Sequence, residues 1–227
     1  MTRFNLEAID VDGAVREAAA EVSGDTRLGF LRKAGVAGGA ALGGGAILGA
    51  IASPALAAGK GRPPASFGPG DVGILNYALT LEYLEAAFYN EAVRKGKIHS
   101  AQLKSFMQTA VKDENYHVKF LASALGSKAA KQPKFNFMGT TGSESKFAAT
   151  AYLLENTGVH AYLGQAGNIK NPAYLGAAAE IVTIEARHSG AIGLITGKGI
   201  ASNGPLDSGY TAEKVLSAVK ATGFIIG

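Results

Sequence analysis

Val111-Lys112-Asp113-Glu114-Asn115-Tyr116-His117-Val118 sets a glutamate and a histidine three residues apart inside a segment of helical periodicity. The same spacing returns at Glu185-Ala186-Arg187-His188. Two of the four histidines in the chain therefore share one context. Residues three apart lie on neighbouring turns of one helix face. Each Glu-x-x-His can thus present a carboxylate oxygen and an imidazole to one point.

Working outward, apolar residues recur at helical spacing in four segments, with almost no strand signal. The first is expected at about Asp71–Lys95, with Asp71 as N-cap. Its seam is Leu75, Ala78, Leu79, Glu82, Ala86 and Tyr89. The second runs from near Ser100 to the breaker Gly126, along Leu103, Met107, Ala110, Glu114, His117, Leu121 and Ala124. The third, about Glu144–Ile169, aligns Ala148, Ala151, Glu155, Gly158, Tyr162 and Gln165. The fourth follows Lys170-Asn171-Pro172 and runs to about Thr196, along Tyr174, Ala178, Ile181, Glu185, His188, Ile192 and Ile195.

Short link, long crossover, short link is one topology of a four-helix bundle. The polar crossover between helices two and three has roughly nineteen residues, enough when extended to pass the roughly 30 Å a bundle requires. A short helix around Thr211–Val219 is expected to pack on the bundle or on a neighbouring subunit. The expected organisation is an all-α four-helix bundle at 71–196, a linker at 58–70 rich in Gly and Pro, and a C-terminal extension at 197–227.

Charges in the seams carry the functional argument. Glu114, His117, Glu185 and His188 continue apolar stripes, and Glu82 and Glu155 lie mid-seam on the other two helices. Carboxylates are seldom fully buried unless paired or bound to a metal. Two divalent ions would cancel four glutamates, and oxygen with imidazole ligation suits iron or manganese and admits zinc. Glu85 also lies toward the first seam and could replace Glu82. Tyr89 reads as a hydrogen-bond donor to the ligands, as a redox partner, or as an ordinary core tyrosine. His160 falls on a different face from Glu155, and His99 at a helix start; both are expected at the surface.

With no cysteine, thiolate sites and thiol nucleophiles are excluded. The net charge of +4 suggests nucleic acid. Yet the lysines are scattered, aromatic residues do not interleave with them, and no nucleic-acid motif is present.

At the N-terminus, Arg32-Lys33 precedes an uncharged run from Ala34 to Ser53, then an Ala-x-Ala site at Ala55 and Ala57. That pattern is an export signal, here residues 1–57, cut after Ala57. The lead-in Thr26-Arg27-Leu28-Gly29-Phe30-Leu31-Arg32-Lys33 resembles a twin-arginine signal but lacks the adjacent arginine pair. If uncleaved, residues 34–53 are just long enough to span a bilayer.

Glu82, Glu114-x-x-His117, Glu155 and Glu185-x-x-His188 together resemble the di-metal carboxylate pattern of the ferritin-like superfamily. Glu82 followed seven residues later by Tyr89 is similar to the first helix of ferritins and bacterioferritins, which favours Glu82 over Glu85. The segment Ala78-Leu79-Thr80-Leu81-Glu82-Tyr83-Leu84-Glu85-Ala86-Ala87-Phe88-Tyr89, with the export signal, is most similar to exported ferritin-like domain proteins of the desiccation-related type. The resemblance implies that Glu114, with Glu155 or Glu185, bridges or caps two metals, and that each histidine ligates one. It implies iron or manganese, with dioxygen or peroxide as co-reactant, in ferroxidase-type or oxidant-scavenging chemistry. Two alternatives remain: a non-catalytic exported stress protein, and a manganese catalase, whose fourth helix typically lacks the Glu-x-x-His pair. A homo-oligomer is compatible with the sequence, but nothing in it reports a storage cage.

Overall fold

The computed structural model describes residues 61–226, and the expected export signal at 1–57 lies outside them. Five helices follow in order: α1 (Gly70–Lys95), α2 (Ala101–Leu125), α3 (Glu144–Ala166), α4 (Pro172–Ile195) and α5 (Ala212–Thr222). Short links make α1–α2 and α3–α4 antiparallel pairs. Contacts between α1 and α3, and between α2 and α4, close them into an all-α bundle. None of the described helices is long and apolar enough to cross a membrane.

Local chemistry sets the helix ends. Gly96 closes α1 in the left-handed region at φ 61°, where a Cβ is disfavoured. Asn171 caps α4, accepting from the Ala173 N–H with Pro172 at the first helical position. Asp71 does not cap α1, whose N-cap is Pro69. Its carboxylate lies within the first turn and accepts from the Lys170 and Asn171 N–H groups, tying α1 to the α3–α4 turn. Helix α3 stops at Ala166, three residues short of the expected end, and α2 ends its seam on Leu125 while Ala124 is exposed.

The crossover is less polar than its composition suggests. Phe137 is buried, stacking edge-on against Phe88 and Phe224, and Phe88 in turn stacks on Phe147. Each buried phenylalanine contributes about 1.5–3 kcal/mol, so the crossover is anchored rather than draped. Its backbone joins the C-terminus through Asn136 N–H to Phe224 C=O and Ile226 N–H to Lys134 C=O.

The C-terminal extension packs on the bundle. Val215 and Val219 of α5 join the core, and the chain before α5 lies along α3. There Gly164 is required, because a Cβ would fall 1.8 Å from the Tyr210 carbonyl oxygen. His160, expected at the surface, is buried by this extension. Its Nδ1 lies 2.5 Å from the Ser208 carbonyl oxygen and its ring stacks on Tyr210. His99 is exposed.

Candidate metal centre

The bundle interior gathers Glu82 from α1, Glu114 and His117 from α2, Glu155 from α3, and Glu185 and His188 from α4. All four glutamates are 0% exposed and both histidines 5%. Removing an ionised carboxylate from water costs several kcal/mol even after relaxation. Four such charges would exceed the roughly 5–15 kcal/mol net stability of a domain. Counter-charge is therefore a condition of the fold.

The donor atoms form two overlapping groups, each able to hold a metal ion: Glu82, Glu114, His117 and Glu185, and Glu114, Glu155, Glu185 and His188. His117 Nδ1 lies 3.2 Å from Glu82 Oε2, Glu114 Oε2 and Glu185 Oε1. His188 Nδ1 lies 3.0 Å from Glu114 Oε1 and 3.3 Å from Glu155 Oε2. Glu114 thus turns one oxygen to each histidine. Glu185 belongs to both groups, while Glu82 and Glu155 each serve one.

The fit to a cation is visible in what these atoms do not do. Glu114 Oε1, Glu155 Oε2, both Glu185 oxygens and His188 Nδ1 are buried without a hydrogen bond among the described residues. They approach one another closely yet do not align donor to acceptor. Atoms converging on a shared positive centre have that arrangement.

Two tyrosines hold the unshared glutamates. The Tyr89 hydroxyl of α1 donates to Glu155 Oε1 of α3, and the Tyr162 hydroxyl of α3 donates to Glu82 Oε1 of α1, at 2.5 Å. Tyr89 therefore serves the glutamate of the opposite helix, not Glu82 on its own. Burial, reinforced by these carboxylates, holds both phenols well above the usual tyrosine range, so both remain donors. On the outer side, His188 Nε2 lies 3.1 Å from Asp113 Oδ2. Phe106 packs edge-on against the His188 ring, with centroids 6.2 Å apart.

Protons and carboxylates share the charge. Burial opposes a charge on His188, but Glu155 and Glu114 outweigh it and push the imidazole up to about 12. His117 is likewise raised, by Glu114, Glu185 and Glu82 against burial. Burial lifts Glu114 to about 7 although both histidines pull it down. Burial, followed by the neighbouring glutamates, raises Glu185 well above the carboxylate range. A bound metal would displace these protons.

Clefts reach the site between α2 and α4. One of about 260 Å³ is lined by His117 with Asp113, Tyr116 and Ile184. Another of about 640 Å³ is lined by His188 with Phe106 and Arg187. Of the six clustered residues, the histidines are thus nearest the outside.

The interior of this four-helix bundle carries a carboxylate and histidine cluster that could hold metal ions. The family model for the ferritin-like domain matches residues 70–198, and the chain belongs to that family. No curated protein matches it.

The six residues expected from the sequence meet in the interior as candidate ligands, and two residues beside them were not expected there. Tyr162 stands seven residues after Glu155, as Tyr89 does after Glu82. That repeat was the available signal. Asp113 lies outside the seam and carries no signal of its own.

Proposed function

We propose that these six residues hold two divalent ions, iron or manganese, and that the protein oxidises Fe(II) or removes an oxidant with them. The observation that carries this reading is the sharing of Glu114 and Glu185 between two ligand groups. Two ions offset the four glutamates, and a donor set of oxygen and imidazole without sulfur suits iron and manganese. When bound, the ions would supply the electron transfer to dioxygen or peroxide.

The chain's part is to hold geometry and exclude water. Glu114 and Glu185 span the two positions, and Tyr162 and Tyr89 keep Glu82 and Glu155 aimed inward. Phe106, Phe147 and Phe88 wall the Tyr89 side. Tyr162 also borders an almost wholly apolar cavity of about 240 Å³, with Ile74, Leu75, Ala78 and Tyr174. Such a compartment suits a small nonpolar oxidant such as dioxygen.

The test is oxygen uptake and loss of Fe(II) after mixing anaerobic protein with Fe(II) and then oxygen. Turnover well above that of a Glu114→Ala, Glu185→Ala double variant is expected. Equal rates would remove the redox reading.

One observation favours a non-catalytic alternative: the four glutamates are wholly buried, as in closed structural metal sites. That reading expects a melting temperature lowered by chelator and no oxygen uptake. We also propose that the chain is an exported ferritin-like protein of the desiccation-related type. The uncharged run 34–53 and the Ala-x-Ala site support export. N-terminal sequencing of protein recovered outside the cytoplasm should begin after Ala57; a start at Met1 rules out cleavage.

A further inference from the structure

The site is built from two halves that correspond position by position. Glu82 with Tyr89 matches Glu155 with Tyr162, and Glu114 with His117 matches Glu185 with His188. The correspondence fails three residues after the unshared glutamates, where α1 has Glu85 and α3 has Gly158. These two unlike residues meet. A Cβ on Gly158 would fall 2.8 Å from Glu185 Oε2 and 3.5 Å from Glu85 Oε1. The missing side chain on α3 thus leaves room for a fifth carboxylate on α1, and any larger residue at 158 would push against Glu185.

Glu85 is 3% exposed, and neither of its oxygens has a hydrogen-bond partner among the described residues. A buried carboxyl group without a partner is costly in either protonation state, since the acid form would also need an acceptor for its O–H. Burial and then Glu185, Glu114, Glu155 and Glu82 raise its proton affinity. Its natural partner is additional positive charge.

We propose that Glu85 is a further metal-binding carboxylate that fits the pair to a trivalent ion, a role resting on the reading that the six residues hold two metals. Charge decides the matter. Four ionised glutamates offset two divalent ions and leave nothing over. A fifth leaves one negative charge, which replacing one divalent ion by a trivalent ion removes. Glu85 therefore discriminates between oxidation states, while the six ligands set the number of ions.

The test uses two redox-inert ions, Zn(II) and Ga(III), each supplied as its nitrilotriacetate complex to the full chain. In Glu85→Gln, Ga(III) affinity should fall about tenfold or more and Zn(II) affinity by a smaller factor, about fivefold where Ga(III) loses tenfold, because the loss of one nearby charge scales with the charge of the ion. Glu85→Asp keeps the charge and should hold Ga(III) within about threefold of the parent. Equal losses for both ions, or no loss of Ga(III), overturn the proposal while leaving the six-ligand site intact. Loss of Ga(III) in the Asp variant equal to that in Gln overturns it too. Failure of the parent chain to bind Zn(II) sinks the two-metal reading itself, and this proposal with it.

Discussion

The His117 and His188 halves of the site share their interior and differ in their backing. Each has a shared glutamate from α2 and α4, an unshared glutamate, and a tyrosine hydroxyl reaching across from the opposite helix. Behind His188, however, Asp113 holds Nε2 at 3.1 Å. The position on α4 corresponding to Asp113 is Ile184, which lines the cleft beside His117 with Asp113 and Glu180, and among the described residues no carboxylate is hydrogen-bonded to His117 Nε2. Metal-binding histidines are oriented by what their second nitrogen touches. The inner atoms thus make two similar positions, and the outer ones make them unequal.

The sharpest break of the correspondence comes from removing a residue that belongs to both halves. Glu185→Ala takes a ligand from each group and should cost both ions about a hundredfold or more in affinity, while Glu155→Ala weakens the His188 position alone. Isothermal titration with Zn(II) measures this. A Glu185→Ala protein that still binds two ions tightly would show that the halves are independent.

Acid should act on both halves alike. Both histidines retain a proton far above their usual range, and metal binding requires that proton to leave. Affinity for each ion should therefore rise about tenfold per pH unit for each proton released. Glu114, raised to about 7, is shared, so below that pH it binds a second proton that must leave, and the slope steepens. Competition titrations from pH 5.5 to 8.5 give these slopes; a flat profile contradicts the assignment of the histidines as ligands.

Asp113→Asn tests the inequality directly. It should weaken the His188 position by about tenfold to a hundredfold, in line with the loss of an outer partner to a ligating histidine. Ile184→Ala should leave the His117 position unchanged, since it removes no polar contact. Equal weakening of both positions would mean that Asp113 acts through the net charge of the cleft rather than through His188.

Helical periodicity made the six clustered glutamates and histidines legible as buried polar residues, because a polar residue within an apolar seam breaks a pattern. The same logic could not separate Glu82 from Glu85, since both point toward the seam and both are buried. Only the neighbouring helices distinguish them: Tyr162 and His117 contact Glu82, whereas Gly158 leaves Glu85 unpartnered. His160 was misread for a related reason. Its burial depends on residues 208–210 returning along α3, a long-range path that no local pattern records. Asp113 obeys the α2 register as a half-exposed residue, and its role exists only because α4 brings His188 beside it.

The smallest effects should come from the two tyrosines, and they test whether the halves are equivalent inside as well as out. Tyr162→Phe removes the hydroxyl from Glu82, and Tyr89→Phe the one from Glu155. A hydrogen bond to a charged group contributes about 1.5–3 kcal/mol at most sites. Part of that returns here, because a freed carboxylate oxygen can turn to the cation. Each variant should therefore lose no more than about tenfold in affinity for one ion and little for the other, Tyr162→Phe at the His117 position and Tyr89→Phe at the His188 position. Cobalt(II) absorption, followed through a titration, distinguishes the two positions by their band shapes. Matching losses on opposite sides would establish the crossed pairing of α1 and α3, whereas a loss from only one variant would show that one tyrosine merely fills the core.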